Sequence, residues 1–420
     1  MRTTPLDAWI AGITGGDTQS YQLEKLRETL MAAQNASFYR EAYPQYPHSV
    51  GSLAELAKIP AIDAGTLRER GSGLVCVSQS DISDVVTLST SGTTGRPKRV
   101  FFTEEDRELT LAYFANGLRT VASPGDTMAI LLPCARPGGV GDLISGALER
   151  IGVRAVRFGS VAGLNECADA LQKNGADAAV GAPVQVLALA RFCEAKKIVL
   201  NIRSVLLCTD RIPDIAKREL KRIWGCEVYE HYGSTETGFI GAIDCDAHDG
   251  YHISENDLLF EVVGAAGDPL PDGVCGELVF TTLTRRGMPL IRYRTGDMSR
   301  LIRGSCACGS HIARIAPIAG RVGGEVDMRC GTRLSIADFD ETLLSINGVC
   351  DFTLTAAPEE DSLCVDVETQ RSIGRAQADE IARVISLSGV AAGIAVSINV
   401  TELPDALTRR DGKRAIVVNQ

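Results

Sequence analysis

Basic charge, aromatic rings and long apolar runs are all scarce in this sequence of 420 residues. Lys and Arg number 43 against 53 Asp and Glu, a formal net charge of -10. A surface with that balance has no general hold on a phosphate backbone, which excludes a nucleic-acid-binding protein. No stretch reaches the ~18 consecutive apolar residues of a membrane-crossing helix, so neither a span nor a membrane partner is expected. The opening residues Met1-Arg2-Thr3-Thr4-Pro5 lack the apolar core and small-residue cleavage site of a signal peptide, so the expected location is the cytoplasm. Internal repeats and low-complexity tracts are absent as well, which excludes collagenous, coiled-coil and disordered proteins. With 45% hydrophobic and 23% charged residues, the composition is that of a globular enzyme with a sizeable core.

Cysteine is the exception to this scarcity. Thirteen are present, an odd number in a long chain expected to be cytoplasmic, and so not a disulfide framework. Most are expected to be small buried hydrophobes, unless some gather at metal-ligand spacing.

The hydrophobic pattern predicts a helical stretch over residues 18–45, ending in Phe38-Tyr39-Arg40-Glu41-Ala42-Tyr43. From Asp126 onward strands and helices alternate: strand Thr127–Leu132, helix Asp142–Arg150, strand Arg154–Phe158, helix Glu166–Lys173 and strand Ala178–Val180. Strand Ser204–Cys208, an amphipathic helix carrying Ile212, Ile215, Ala216, Leu220, Ile223 and Trp224, and strand Glu227–Glu230 follow. Such alternation predicts a largely parallel, covered sheet. Around Asp257–Val263 and Gly276–Thr282 the period changes to two, which predicts an antiparallel β region. Small residues at Ala319–Gly324 mark a neck. Beyond it a helix (Ile336–Leu344), strands Asp351–Ala356 and Leu363–Glu368, a helix (Ala376–Ile385) and a strand (Ala395–Val400) predict a compact α+β module. The expected fold class is α/β: a large N-terminal domain, residues 1–319, of mixed and parallel sheets with helices and a β subdomain, and a small mobile α+β domain, residues 320–420.

Four segments carry chemistry. In Ser89-Thr90-Ser91-Gly92-Thr93-Thr94-Gly95, followed by Arg96, Pro97, Lys98 and Arg99, hydroxyls, glycines and cations lie side by side between strand-like flanks. Backbone donors, short hydroxyls and positive charge suit an oligophosphate. A Walker A loop is excluded, because Pro97 stands five residues after Gly92 and no Gly-Lys-Ser/Thr follows; a plain Ser/Gly turn is the alternative. The second is Glu230-His231-Tyr232-Gly233-Ser234-Thr235-Glu236-Thr237-Gly238, directly after a predicted strand. There a Tyr ring can cover a purine, a Thr hydroxyl can reach a phosphate and a carboxylate can hold Mg²⁺; alone it could be a strand-ending turn. The third is Ile291-Arg292-Tyr293-Arg294-Thr295-Gly296-Asp297, where a loop carboxylate suits two ribose hydroxyls. The last, Thr408-Arg409-Arg410-Asp411-Gly412-Lys413, is a basic turn that read alone is a solvated tail.

In this order the segments closely resemble the acyl-adenylate-forming (AMP-binding) enzyme superfamily, and within it the phenylacetate–coenzyme A ligase-like branch. The resemblance spans nearly the whole chain, to Lys413. It implies that Ser89, Thr90, Ser91, Gly92, Thr93, Thr94, Gly95 and Lys98 close over the ATP phosphates. It implies that Tyr232 packs on adenine beside Gly233 and Ser234, Thr235 contacts the α-phosphate and Glu236 binds Mg²⁺. Asp297 would hold the ribose, Arg321 would lie near it at the neck, and Lys413 would be the lysine that enters for adenylation and leaves for thioester formation. The implied reaction activates a carboxylic acid with ATP to an acyl-adenylate, then transfers it to the thiol of coenzyme A, releasing AMP and pyrophosphate. Other acceptors (a carrier-protein thiol or an amine) and a non-catalytic nucleotide sensor are the alternatives.

The sequence also departs from the family. Gly323 stands where the hinge aspartate is usual, Arg329-Cys330-Gly331-Thr332 replaces Arg-Gly-Val-Asn, and Cys208-Thr209-Asp210 replaces Gly-Gly-Glu. Cys245 and His252 follow the second motif, while Cys306 and Cys308 follow the third. If both motifs face one nucleotide, these four can meet as a closed structural zinc site, and a zinc-containing subgroup of the family has similar Cys and His contexts. His248 is the competing ligand, and four ordinary residues with a redox-sensitive Cys306/Cys308 pair are the alternative. The acid pocket is expected from Pro133–Leu143, Gly181–Val184 and the flanks of His231–Gly233. Room at Gly138, Gly139 and Gly141 favours an aromatic acid, with Arg136 as a cation; a helix-start turn is the alternative use of these glycines. Homodimerisation is left open.

Overall fold

The computed structural model describes residues 4–44, 50–88, 97–370, 375–403, 405–408 and 414–419. It divides into two compact units, one of residues 1–120, 142–151 and 231–319, the other of residues 121–141, 152–230 and 320–420.

In the first unit the helix Pro5–Thr14 starts on a reciprocal cap between Thr4 and Asp7 and stops at left-handed Gly15. The helical stretch expected over residues 18–45 is two helices, Thr18–Ala33 and Ser37–Ala42. The break falls at the polar pair Gln34-Asn35, where the chain turns so that Phe38 packs edge-on against both Tyr39 and Tyr43. Strands Asp84–Leu88 and Lys98–Phe102 pair antiparallel, Leu88 opposite Lys98, and so flank residues 89–96. Helix Glu104–Gly117 follows on a second reciprocal cap, Thr103 with Asp106. An antiparallel sheet is built from Leu258–Val263, Gly276–Thr282 and Tyr293–Ser299, as the period-two pattern predicts. A further antiparallel ribbon joins Gly241–Ile243, Tyr251–Ile253, Arg314–Ile315 and Leu301–Ile302.

In the second unit, parallel strands lie in the order Arg154–Arg157, Thr127–Leu131, Ala178–Gly181, Ser204–Leu207, and then the first half of Glu227–Gly233. Their continuous apolar runs are explained by burial on both faces: Met128, Ala129, Ile130, Val180 and Val205 are fully buried. Helices Leu164–Asn174, Pro183–Lys196 and Asp214–Trp224 cover this sheet. The same unit holds a sheet of Val349–Ala357, Ser362–Thr369, Ala395–Glu402 and Ile416–Val418, with helices Ile336–Leu343 and Arg375–Ser388. Val349–Ala357 alternates buried and half-buried positions, the pattern of a sheet with one covered face. No helix among the described residues is long and apolar enough to cross a membrane.

One close approach fixes the strand that carries Tyr232. A Cβ at Gly241 would stand 1.9 Å from the Tyr232 carbonyl oxygen, in the pair that sets Tyr232 opposite Ala242. Gly241→Ala is therefore expected to cost about 1–3 kcal/mol or more in urea unfolding, the scale of an overpacked core position. An unchanged unfolding midpoint would contradict this pairing.

Candidate functional site

The segment Ser234–Gly238 leaves its strand as a tight turn tied to itself. The Ser234 N–H donates to Thr237 Oγ1 (3.0 Å), the Thr237 hydroxyl donates to the Ser234 carbonyl (2.9 Å), and the Phe239 N–H closes onto the same carbonyl (2.8 Å). Phe239 has φ 62° and Gly238 φ 73°, so the chain reverses through two left-handed residues. From helix Glu104–Gly117, Thr110 Oγ1 donates to the Gly238 carbonyl at 2.7 Å. The turn projects Thr235 and Glu236, both buried.

Glu236 is the electrostatic focus of this unit. Lys98 Nζ hydrogen-bonds its carboxylate, and the Tyr293 hydroxyl donates to Oε1 at 3.2 Å. Burial alone would push the Glu236 carboxyl up; the Lys98 charge overrides it and leaves it below its ordinary value. A buried but ionised carboxylate is what a hard dication requires, so Glu236 fits the expected Mg²⁺ ligand. Sequence reasoning singled out Lys98 and Glu236 separately; the structure brings them together, 138 residues apart in the chain. Tyr293 lies inside a quoted motif, but nothing local to it points to Glu236; only the fold brings its hydroxyl there.

The neighbouring pair is Tyr232 and Asp297. The Tyr232 hydroxyl donates to Asp297 Oδ2 at 3.0 Å, and both residues are buried. Asp297 lies in strand Tyr293–Ser299, and Thr295 Oγ1 accepts from its N–H at 3.0 Å. Crowding within its own strand explains Gly233: a Cβ there would stand 2.7 Å from the His231 ring. His231 packs against Tyr113 and Phe114 at ring-centroid distances of 5.9 and 5.8 Å, and burial pushes its imidazole down to about 4.

The four expected metal ligands also converge. The ligand atoms of Cys245, His252, Cys306 and Cys308 all lie within 4.8 Å of one another. Cys245 Sγ and Cys306 Sγ are 3.8 Å apart, and Cys308 Sγ is 3.5 Å from His252 Nε2. A zinc tetrahedron with Zn–S about 2.3 Å and Zn–N about 2.0–2.1 Å has S···S edges of about 3.8 Å and S···N edges of about 3.5 Å. The donor set and its spacing therefore fit zinc. His248 stands outside the cluster, its Nδ1 2.6 Å from the Asp244 carboxylate. The N-terminal helix reaches the same knuckle: Ser310 Oγ donates to Asp7, while the Ser310 carbonyl accepts from Cys306 N–H at 2.8 Å.

In the second unit, the chain order of the parallel strands reverses between Thr127–Leu131 and Ala178–Gly181. Ligands of open parallel sheets settle outside the carboxyl ends of strands at such a reversal. Residues 133–141 and 182–184 follow those two ends, and they belong to the expected acid pocket. The glycines there also build a turn. Gly141 N–H bonds the Pro133 carbonyl (3.3 Å), and a Cβ on Gly141 would meet Cys134 Sγ at 2.5 Å, directly before the body of helix Val140–Arg150.

The remaining expected residues are placed as follows. Ser89, Thr90, Ser91, Gly92, Thr93, Thr94, Gly95 and Lys413 lie outside the described residues. Arg321 is an exposed residue of the short strand Gly320–Arg321, in the other compact unit from Glu236 and Asp297. Asp210, at the Gly-Gly-Glu departure, accepts from the Arg414 N–H at 3.3 Å.

Known proteins resemble this chain in sequence and in fold. The sequence profile of the AMP-binding enzyme family matches residues 32–283. Phenylacetate-coenzyme A ligase of Pseudomonas putida is 28% identical over 341 residues, covering 78% of this chain and 76% of that protein. Phenylacetate-coenzyme A ligase of Escherichia coli is 26% identical over 373 residues, covering 85% and 83%. Among solved structures, 2-hydroxyisobutyryl-CoA ligase in the postadenylation state with R3-HIB-AMP superimposes with TM-score 0.80 at 22% identity, over 96% of this chain and 90% of that one. That likeness establishes the α/β fold.

The environment of His231 gives a direct test. Its neutral imidazole should show no titration between pH 5 and 8 by NMR, with the resonance assigned through His231→Gln. Because the folded value lies below the ordinary 6.5, His231 costs nothing above pH 6.5 and destabilises the fold increasingly as pH falls toward 4. A midpoint near 6.5 would contradict its burial.

Proposed function

The chain belongs to the AMP-binding enzyme family, and on that footing we propose that it is an ATP-dependent ligase joining a carboxylic acid to coenzyme A through an acyl-adenylate. The observation that carries this reading is the buried, ionised Glu236 carboxylate, held by Lys98 and Tyr293 on the same fold unit as the Tyr232–Asp297 pair. In the first step a carboxylate oxygen of the acid attacks the α-phosphorus of ATP and pyrophosphate leaves. The carboxylate is already a nucleophile, so no base is needed and the residues position and neutralise charge. In the second step the coenzyme A thiolate attacks the acyl carbon and AMP leaves with the bonding electrons.

The roles follow the residues. Asp297, oriented by the Tyr232 hydroxyl, accepts from the ribose hydroxyls, and the Tyr232 ring lies against adenine. Thr235 donates to the α-phosphate. Glu236 would hold Mg²⁺, which when bound supplies positive charge to the phosphates. Residues 89–95, with Lys98 at their edge, cover the β- and γ-phosphates. Arg321 serves the ribose from the neck, and Lys413, on a mobile lid of residues 320–420, serves adenylation. The acid is aromatic and is received by residues 133–143 and 181–184. Both co-substrates are cytoplasmic metabolites, which fits a cytoplasmic address. Cys245, His252, Cys306 and Cys308 hold a structural zinc, closed to water because all four positions are filled by protein.

Two experiments test this reading. Pyrophosphate release should depend on added acid across a panel of aromatic and aliphatic acids, with AMP and a thioester appearing once coenzyme A is present. Lys413→Ala should lower that release by about 10²–10³-fold, the scale of losing one charge-stabilising donor, with ATP binding retained. Release unchanged by Lys413→Ala refutes its role, and no release with any acid refutes the reaction. Separately, metal analysis should find one zinc per chain, lost in Cys306→Ser or Cys308→Ser; full retention in both refutes the site.

A further inference from the structure

Arg285 is a buried cation that none of the roles above uses. It sits in the loop between strands Gly276–Thr282 and Tyr293–Ser299, and its guanidinium reaches both arms of the Glu236 site. Nη1 donates to the Glu236 carbonyl oxygen at 2.6 Å. The guanidinium carbon lies 5.0 Å over the Phe102 ring, at the far end of the strand that begins with Lys98. We propose that Arg285 is a positioning residue for the Glu236 carboxylate, setting its approach to Lys98 and its affinity for the Mg²⁺–nucleotide; this rests on the adenylating reading above.

The surroundings are built around that guanidinium. A Cβ on Gly238 would stand 2.3 Å from Arg285 Nη2, so the turn passes Arg285 only because residue 238 is glycine. The backbone on either side of Arg285 is pinned. Thr284 Oγ1 donates to Asp257 Oδ1 at 2.7 Å, while the N–H groups of Arg286 and Gly287 donate to the two Asp106 oxygens at 2.7 and 3.0 Å. Asp257 is itself held by Ser254 (3.1 Å) and Asn256 (2.9 Å). Burial pushes Arg285 down to about 10, and the nearby Asp106, Glu236 and Asp257 oppose that shift, so the side chain is charged at neutral pH. A lysine ammonium could supply the charge, but it lacks the flat fork that stacks on Phe102 while donating in plane to a carbonyl.

The test separates positioning from plain folding. ATP binding to wild type, Arg285→Lys and Gly238→Ala is measured by calorimetry with and without Mg²⁺, alongside acid-dependent pyrophosphate release. Arg285→Lys should weaken the Mg²⁺-dependent part of ATP binding about 10–100-fold, as loss of a residue that orients a metal ligand does, and raise the Mg²⁺ requirement of turnover in parallel. Mg²⁺-free ATP binding and the KM for the acid should stay at wild-type values. Gly238→Ala, which displaces the same guanidinium, should reproduce the effect. In Arg285→Ala, added methylguanidinium should restore part of the Mg²⁺ response. Equal loss with and without Mg²⁺ assigns Arg285 a structural role only, and an unchanged Mg²⁺ response in Arg285→Lys overturns the proposal outright. A wild type that binds Mg²⁺–ATP but releases no pyrophosphate defeats the ligase reading while leaving Arg285 testable by calorimetry. A wild type that does not bind it defeats both.

Discussion

A carboxylate kept ionised while shielded from water is the constraint on which this structure turns. Glu236 has lost its hydration, and an unpaired buried charge would cost several kcal/mol. Much of the surrounding chain supplies compensation: the Lys98 ammonium, the Tyr293 hydroxyl and, through the backbone, Arg285. Those partners come from two segments, one at Lys98 and one at residues 285–293, each far from Glu236 in sequence, so the ion pair can exist only once the unit around it has folded. The tight turn, its two left-handed residues and the glycine at position 238 all follow from the need to bring one acidic side chain to that point.

The Cys and His cluster acts on the same unit from the other side. Cys245 follows the Glu236 turn and Cys306 follows Asp297, so one ion bound by both would tie together the segments that leave Glu236 and Asp297. Ser310 extends the tie to Asp7 in the N-terminal helix. A structural metal there closes a long loop, and closing long loops is where a cross-link removes most unfolded-state entropy.

Much of this was legible in the sequence, for identifiable reasons. The parallel strands declared themselves as continuous apolar runs such as Thr127–Leu131, because burial on both faces leaves no polar alternation. The convergent residues Cys245, His252, Cys306 and Cys308 could be grouped because two motifs expected to share a nucleotide precede them. Other features were hidden because they depend on side chains meeting across the fold. Nothing local to Arg285 distinguishes it from its neighbour Arg286, and only the tertiary positions of Glu236 and Phe102 give it a task. Tyr293 was hidden likewise, its partner being Glu236, and so was the bond of Asp257 to Thr284, although its partners Ser254 and Asn256 are sequence neighbours. The break between Thr18–Ala33 and Ser37–Ala42 escaped a periodicity argument because apolar residues continue across it while the polar pair Gln34-Asn35 turns the chain.

Asp106 carries a consequence for the order of assembly. Its carboxylate accepts the Thr103 N–H, three residues away, at 3.0 Å, and also the Gly287 N–H, 181 residues away. The first bond can form as soon as helix Glu104–Gly117 nucleates; the second must wait for most of the unit to be threaded into place. Contacts of such unequal sequence separation form at different times, and distant ones bear the larger closure entropy. The helix cap can therefore be an early event, whereas the loop carrying Arg285, and with it the final geometry around Glu236, is completed late. If local opening retraces that path, the Glu236 carboxylate disengages before the helix beneath it melts.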